Sequence, residues 1–350
     1  MKNKLMLTTA LVGGLVASSS VFAQTTISGG LALQYSGVSA SADSTNKNSH
    51  RGMGREAQLN VQNKGKTNIA GVDYAAGFSL EFDGNSSGTG TETSTISNEN
   101  TFIDLIIGNT TLTMGVDHVQ NSHNNVSPTA TENMADQLDA QLSVAYTNAV
   151  GANPKESMGA GIIQKTPFGN ISYYYVPNNS DTGNRDSRLL RDKANRESAY
   201  EVGFRGDLGV KGLTVKAFKN AEKDHNNLAT SVQQIQGTSF GIGYAFPMGI
   251  TVGADQQKTQ KVATALAEFK TRQYGIAYAA SKDLSFSINR SKTDNSLITS
   301  DADEKWMQYA VGYSLGPIAA GLSYVKIEDV GAQSTGGDGE LMKIMLSTAF

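Results

Sequence analysis

Val72-Asp73-Tyr74-Ala75-Ala76-Gly77-Phe78-Ser79-Leu80-Glu81-Phe82-Asp83 places Val72, Tyr74, Ala76, Phe78, Leu80 and Phe82 on one parity and Asp73, Ala75, Gly77, Ser79, Glu81 and Asp83 on the other. Successive side chains of a strand point to opposite faces, so the stretch reads as a strand with one apolar and one polar side. The pattern recurs along the chain. Ile27, Gly29, Leu31, Leu33 and Tyr35 alternate with Ser28, Gly30, Ala32 and Gln34. Phe240, Ile242, Tyr244 and Phe246 alternate with Ser239, Gly241, Gly243 and Ala245, and Met307, Tyr309, Val311, Tyr313 and Leu315 with Gln308, Ala310, Gly312 and Ser314. The last segment sets Met342, Ile344, Leu346 and Phe350 against Lys343 and Ser347. No long window carries a comparable helical period.

A soluble β-sandwich alternates too, and two features separate it from a membrane barrel. Aromatics stand near strand ends on the apolar face, as at Tyr35, Phe82, Phe246, Tyr278, Tyr313 and Phe350, where interfacial girdles belong. The other face is Gly, Ser, Gln, Asn and charge, which suits water in a lumen and not a packed core. Hydrophobic residues make up only 39% of the chain, with 37 Gly, 13 Tyr and 12 Phe, too few for a large soluble core. Beyond residue 23 no run of about eighteen apolar residues exists, which excludes helical spans. The expected fold is all-β, a transmembrane antiparallel barrel. The chain has no cysteine, so an exported protein of this kind draws its stability from ring closure, where every backbone group finds a partner.

Residues 1–23 read as a cleaved signal peptide: Lys2 and Lys4, an apolar run from Leu5 to Ala17, then Val21-Phe22-Ala23. The run is too short and too Gly-interrupted for a membrane anchor. One barrel domain then occupies 24–350. Removing Lys2 and Lys4 from the 29 basic residues leaves 27 against 32 acidic ones, a formal charge of −5. That mild acidity argues against a nucleic-acid partner.

Connections alternate between tight turns, at 64–67, 108–111, 209–212, 247–249, 282–283 and 316–317, and long polar stretches, at 38–51, 84–99, 118–140, 178–197, 222–235, 258–268, 293–304 and 329–339. Short turns on one rim and long extracellular loops on the other is the asymmetry of outer-membrane barrels. Counted from the N-terminus, 112–117 runs outward; counted back from Phe350, so does 169–177. An odd number of strands lies between them. Segment 157–165 supplies one and 141–156 is assigned to an extended loop, which makes sixteen strands. Eighteen, with a third strand in that interval, is the alternative.

Residues 101–115, a strand–Gly-turn–strand unit around Gly108, together with Ile162 to Tyr175 and the alternating final strand ending in Phe350, resemble the general Gram-negative porin family. Thr348 departs from the family pattern, which has an apolar residue there. The resemblance implies a sixteen-stranded homotrimer in the outer membrane, each pore narrowed by a third loop folded inward. It also implies recognition of Phe350 by barrel-assembly machinery. The third loop corresponds to about 118–140, carried over by position, since the Pro-Glu-Phe-Gly stretch of better-known members is missing.

A passive pore needs a radius and a field, and no cofactor. The loop candidate holds Glu132, Asp136 and Asp139, with Asp117 at its entry, and no Lys or Arg. Inward-phase acids on the strands are Glu56, Asp73, Glu81, Asp104, Glu201 and Asp255. Inward-phase bases are Arg205 and Lys343; Lys216 is ambiguous because Phe218 shares its phase. The expectation is a cation-leaning pore for ions and small hydrophilic solutes. Arg55, Arg272 and Arg290 share the apolar phase and are not carried over as a basic ladder. His50, His118, His123 and His225 fall in expected loops, and three loose ligands among Asp117, His118 and His123 make no metal site. No nucleophile with an orienting partner lies on a wall, which counts against an enzyme. The charge-dense stretch 185–197 suits lipopolysaccharide phosphates at the outer-membrane surface. A solute-specific channel needs a lumen track of aromatics or bases, and only Tyr174 and Trp306 are named as inward aromatics. A structural or adhesive barrel with a closed lumen would show no conductance.

Overall fold

The computed structural model describes residues 23–40, 50–86, 92–116, 126, 158–177, 198–223, 234–262, 266–295, 303–329 and 338–350. Among them are the strands β1 (Gln24–Ala40), β2 (His50–Lys66), β3 (Val72–Ser86), β4 (Glu92–Ile107), β5 (Thr110–Gly115), β6 (Gly159–Thr166), β7 (Gly169–Val176) and β8 (Ser198–Gly206). The second half adds β9 (Leu213–Lys223), β10 (Gln234–Ala245), β11 (Ile250–Val262), β12 (Leu266–Ala279), β13 (Leu284–Asn295), β14 (Glu304–Leu315), β15 (Ile318–Glu328) and β16 (Gly339–Ala349). Each pairs antiparallel with its chain neighbours, and β16 pairs back to β1, closing a barrel of sixteen strands. The barrel is the sixteen-stranded one expected; segment 141–156, where the alternative strand was sought, lies outside the described residues.

The seam ladder from Ala40 opposite Gly339 to Gly30 opposite Ala349 is extended to the last residue. Gly29 N–H donates to the Phe350 carbonyl at 2.7 Å, and Phe350 N–H returns a bond to the Gly29 carbonyl at 2.9 Å. The unusual Thr348 costs no unsatisfied polar group, because its hydroxyl donates to the Pro317 carbonyl at 3.0 Å. At the short-turn rim, Gly108 (φ 58°) and Gly316 (φ 77°) take the left-handed first position of two-residue hairpins, which a side chain would strain.

The two faces invert the arrangement of a water-soluble protein. Ile103 is 61% exposed, Ile242 56% and Leu346 50%, whereas Asn289 is 1% exposed and Ser291 and Thr293 are fully buried. Large apolar side chains on the outside and hydroxyls and amides on the inside require an apolar solvent around the barrel. No described helix is long and apolar enough to cross a membrane, so the spanning elements are the strands.

The strands are longer than the alternation indicates. β1 reaches Ala40, β4 starts at Glu92, β10 at Gln234, and β11 and β12 stay paired up to Val262 and Leu266. Most of the expected loops 84–99 and 258–268 is therefore strand, as are the ends of 38–51, 222–235 and 293–304. Beyond the apolar band both faces meet water or headgroups, so alternation fades while the ladder continues. In β4 a bulge adds a second reason. Gly77 faces Phe102 and Ser79 faces Glu99, with Asn100 at φ 48° in between. The extra residue reverses the parity, so that Phe102 and Asp104 turn inward and the run 92–99 is out of phase with the rest of the strand.

Inside the barrel, aromatic rings lie over glycines on neighbouring strands. Phe218 covers Gly203, its partner across the β8–β9 ladder, where a β-carbon would sit 2.0 Å from Phe218 Cδ1. Tyr174 covers Gly159 and Gly161 and donates its hydroxyl to the Gly115 carbonyl. Each ring gains contact area, and each glycine is covered.

Two substitutions test this arrangement. Leu322→Arg, on the outer face, is expected to lower stability by about 2–4 kcal/mol in urea unfolding from liposomes. Gly203→Val is expected to lower it by about 1–3 kcal/mol, with recovery when Phe218→Ala is added.

Candidate functional site

The inner faces of β2, β3 and β4 carry Glu56, Asp73, Glu81 and Asp104, in phase with the buried Ala75 and Ser79. Asp104 is buried and Asp73 sits exposed beside the short turn. Lys64 and Lys66 share this phase at the same rim, Lys66 directly opposite Asp73. On the other side, β8 carries Glu201 and Arg205, β9 Lys216, and β11 Asp255. Glu201 accepts a hydrogen bond from Asn220 Nδ2 at 3.1 Å. Lys343 is buried on the inner phase of β16, and Glu304 on that of β14. Glu304 escapes a reading of the sequence because alternation in β14 becomes visible only from Met307 onward.

Lys216 faces inward, which resolves the ambiguity at its phase: Phe218 is itself an inner residue, 3% exposed. Gly241 stands opposite Lys216 on one side and opposite Asp255 on the other. With no side chain on β10 at that position, Lys216 Nζ reaches Asp255 Oδ1 at 3.1 Å across it. A β-carbon at Gly241 would lie 2.4 Å from Asp255 Oδ1 and 2.9 Å from Lys216 Cε.

Val126 belongs to the connection between β5 and β6, yet it rests on β10 and β11. Its backbone N–H donates to Asp255 Oδ1 at 3.0 Å and to Oδ2 at 2.9 Å. Strands lie about 4.8 Å apart, so the wall from β5 to β10 measures roughly 24 Å. Residues from Val116 to Val126 reach at most ~35 Å. Val126, the one described residue between Val116 and Met158, therefore lies against the inner wall of β10 and β11. Asp117, Glu132, Asp136 and Asp139, the expected constriction acids, lie outside the described residues.

Phe102 and Phe218 join Tyr174 and Trp306 as inner aromatics. Phe102 shares the inward phase read for Asp104, and Phe218 that of Lys216, but both are large apolar rings of the kind expected to face lipid; the glycines opposite, Gly77 and Gly203, were the available signal. Trp306, Val325, Ile327 and Leu341 form an apolar cluster on the inner wall of β14–β16. Arg55 stands on the outer phase, opposite Leu33, and Arg272 pairs with Asp294 at 3.0 Å on the outer face of β12–β13. No group of three metal-ligating side chains occurs among the described residues; His50 opens β2, and His118, His123 and His225 fall outside them.

A family model described as Gram-negative porin matches residues 8–338. No curated protein matches the sequence. Among solved structures, an anion-selective porin from Comamonas acidovorans is similar at a TM-score of 0.64 and 12% identity, over 94% of this chain and 100% of that one. OprB of Pseudomonas putida is similar at 0.64 and 9% identity, over 93% and 94%. The outer membrane channel DcaP of Acinetobacter baumannii is similar at 0.63 and 11% identity, over 94% and 97%. At such identities the likeness carries the fold and leaves selectivity to the residues. The match over most of the chain joins the sixteen-strand closure and the polar interior, and the chain belongs to the Gram-negative porin family, whose members are outer-membrane channels.

Proposed function

We propose that this porin is a passive, cation-leaning pore for ions and small hydrophilic solutes, with no chemical step and no cofactor. The observation that carries the reading is the acidic inner wall of β2–β4, where Glu56, Glu81 and Asp104 share one face while the inner bases Lys64 and Lys66 are confined to the short-turn rim. Across the barrel Lys216 and Asp255 offset one another. A narrow aqueous path with low-dielectric walls concentrates the field of such a face, and counter-ions accumulate there. Constriction acids at Asp117, Glu132, Asp136 and Asp139 would add to it. A solute-specific channel needs rings presented to the solute, but Phe102, Tyr174 and Phe218 are buried against the wall over glycines.

A porin in this setting is expected as a homotrimer, exported through a signal peptide at 1–23 and inserted by recognition of Phe350. The start of the first strand at Gln24 supports the cleavage position. Lipopolysaccharide is the proposed lipid partner. Toward the long-loop end, the outer face of β11–β14 carries ion pairs of Lys258 with Glu268 at 2.9 Å and Lys292 with Asp294 at 3.1 Å. Lys270, Arg290 and Lys305 share that face and leave it positive. Exposed pairs of this kind contribute about 0–1 kcal/mol each, so the positive surplus matters more for headgroup phosphates than for stability.

Reversal potentials across a planar bilayer under a KCl gradient are expected to show cation preference. Glu81→Gln with Asp104→Asn should lower the permeability ratio on the order of two-fold; anion preference in the parent protein would overturn the reading. For the lipid contact, Lys270→Glu with Arg290→Glu is expected to reduce co-purifying lipopolysaccharide without loss of conductance.

A further inference from the structure

We infer that Lys216, Asp255, Gly241 and Gly243 form a built anchor that fastens the β5–β6 connection to the far wall at Val126, which makes Lys216 and Asp255 positioning residues of the pore and not selectivity charges. The inference rests on the porin reading and deepens it. Three independent features meet at this point.

The first is the state of the two charged side chains, which are 0% and 1% exposed. A lysine and an aspartate this deep cannot act as freely hydrated lining charges, and their opposite signs cancel at the range over which a passing ion senses them. The second is the carboxylate's division of labour. Oδ1 accepts from Lys216 Nζ at 3.1 Å, and both oxygens accept from the single N–H of Val126, at 3.0 and 2.9 Å. Lys216 thereby holds the carboxylate plane in the orientation that meets the amide. The third is a seat for the side chain. β-Carbons at Gly241 and Gly243 would lie 2.8 Å from Val126 Cγ2 and 2.5 Å from Cγ1, so the isopropyl group occupies the space that two alternate residues of β10 leave empty. The amide fixes direction and the seat fixes depth. A backbone donor on the loop side means that the anchor reads the course of the chain and not a charge on the loop.

The consequence is a separation of two properties. Releasing the anchor should alter the width and steadiness of the pore, and leave its ion preference in place. Lys216→Met with Asp255→Leu removes the pair without changing net charge, and Gly243→Val fills the seat without touching it. Both are expected to raise single-channel conductance by roughly 1.5-fold and to increase open-channel current noise, at an unchanged reversal potential. Asp255→Asn, which keeps an acceptor for Val126 but loses the ionic partner, should give an intermediate effect. Heat-modifiable mobility on gels identifies the variants that still form the barrel. An arm independent of conduction uses the absence of native cysteine. Val126→Cys with Gly243→Cys should form a disulfide in the folded protein, and reduction should reproduce the noisy state. Folded variants with parental conductance and noise, a changed reversal potential in the charge-neutral pair, or no cross-link in the folded double-cysteine protein would each overturn the anchor. A parent protein that fails to conduct would instead overturn the porin reading, while the cross-link would still test the position of Val126.

Discussion

Backbone amides and carbonyls cannot be left without partners in hydrocarbon, where each bare group costs several kcal/mol. A sheet in that environment has to close on itself, and here the ladder between β1 and β16 closes it, from Ala40 opposite Gly339 to Gly30 opposite Ala349, with Phe350 and Gly29 bonded at its end. The remaining features derive from that constraint. The outer face is released from any need for polar groups and carries Leu33, Ile103, Ile242 and Leu346 into lipid. The inner face, relieved of the task of forming an apolar core, is filled with polar groups that bond to one another. Thr271 and Thr293 share a hydrogen bond at 2.9 Å, and Gln308 donates to Ser323 at 3.0 Å.

Packing inside such a ring obeys different rules from those of a soluble core. Among the described residues no central apolar cluster holds the walls together, and van der Waals contact comes from rings laid flat over glycines one strand away. Phe218 on Gly203 and Tyr174 on Gly159 and Gly161 keep the aromatic area flat against the wall. The same device, turned to another purpose, appears at Gly241 and Gly243, where the missing side chains admit a residue from a distant connection. Glycine therefore does two jobs on the inner face: it receives rings from the wall and receives Val126 from the loop.

Strict alternation in stretches such as 72–83 made the barrel, its strand number and the facing of most wall residues readable from the sequence, because a period of two survives wherever one face meets lipid and the other water. It failed where that contrast ends. Above the apolar band, segments such as 258–268 are polar on both sides and read as loop, although β11 and β12 are still paired there. The bulge at Asn100 reversed parity within a strand, so the phase that placed Asp104 does not extend back to 92–99. Phe218 looked like an outward residue because phenylalanine is expected to seek lipid, and only its fit over Gly203 explains its place inside. The meeting of Val126 with Asp255 had no sequence signature at all, since one partner is a backbone amide and the two lie 129 positions apart.

Joining Phe350 to Gly29 also constrains how the molecule can come into being. The contact spans nearly the whole polypeptide, so its closure entropy falls only as the fifteen intervening hairpin pairings draw the ends together. No partial chain has a closed edge, and every truncated intermediate exposes a strand border ready to pair with whatever is nearby. Hairpins between chain neighbours can pair in any order, but a ring that lacks β16 keeps two bare borders, so the finished wall exists only as a whole.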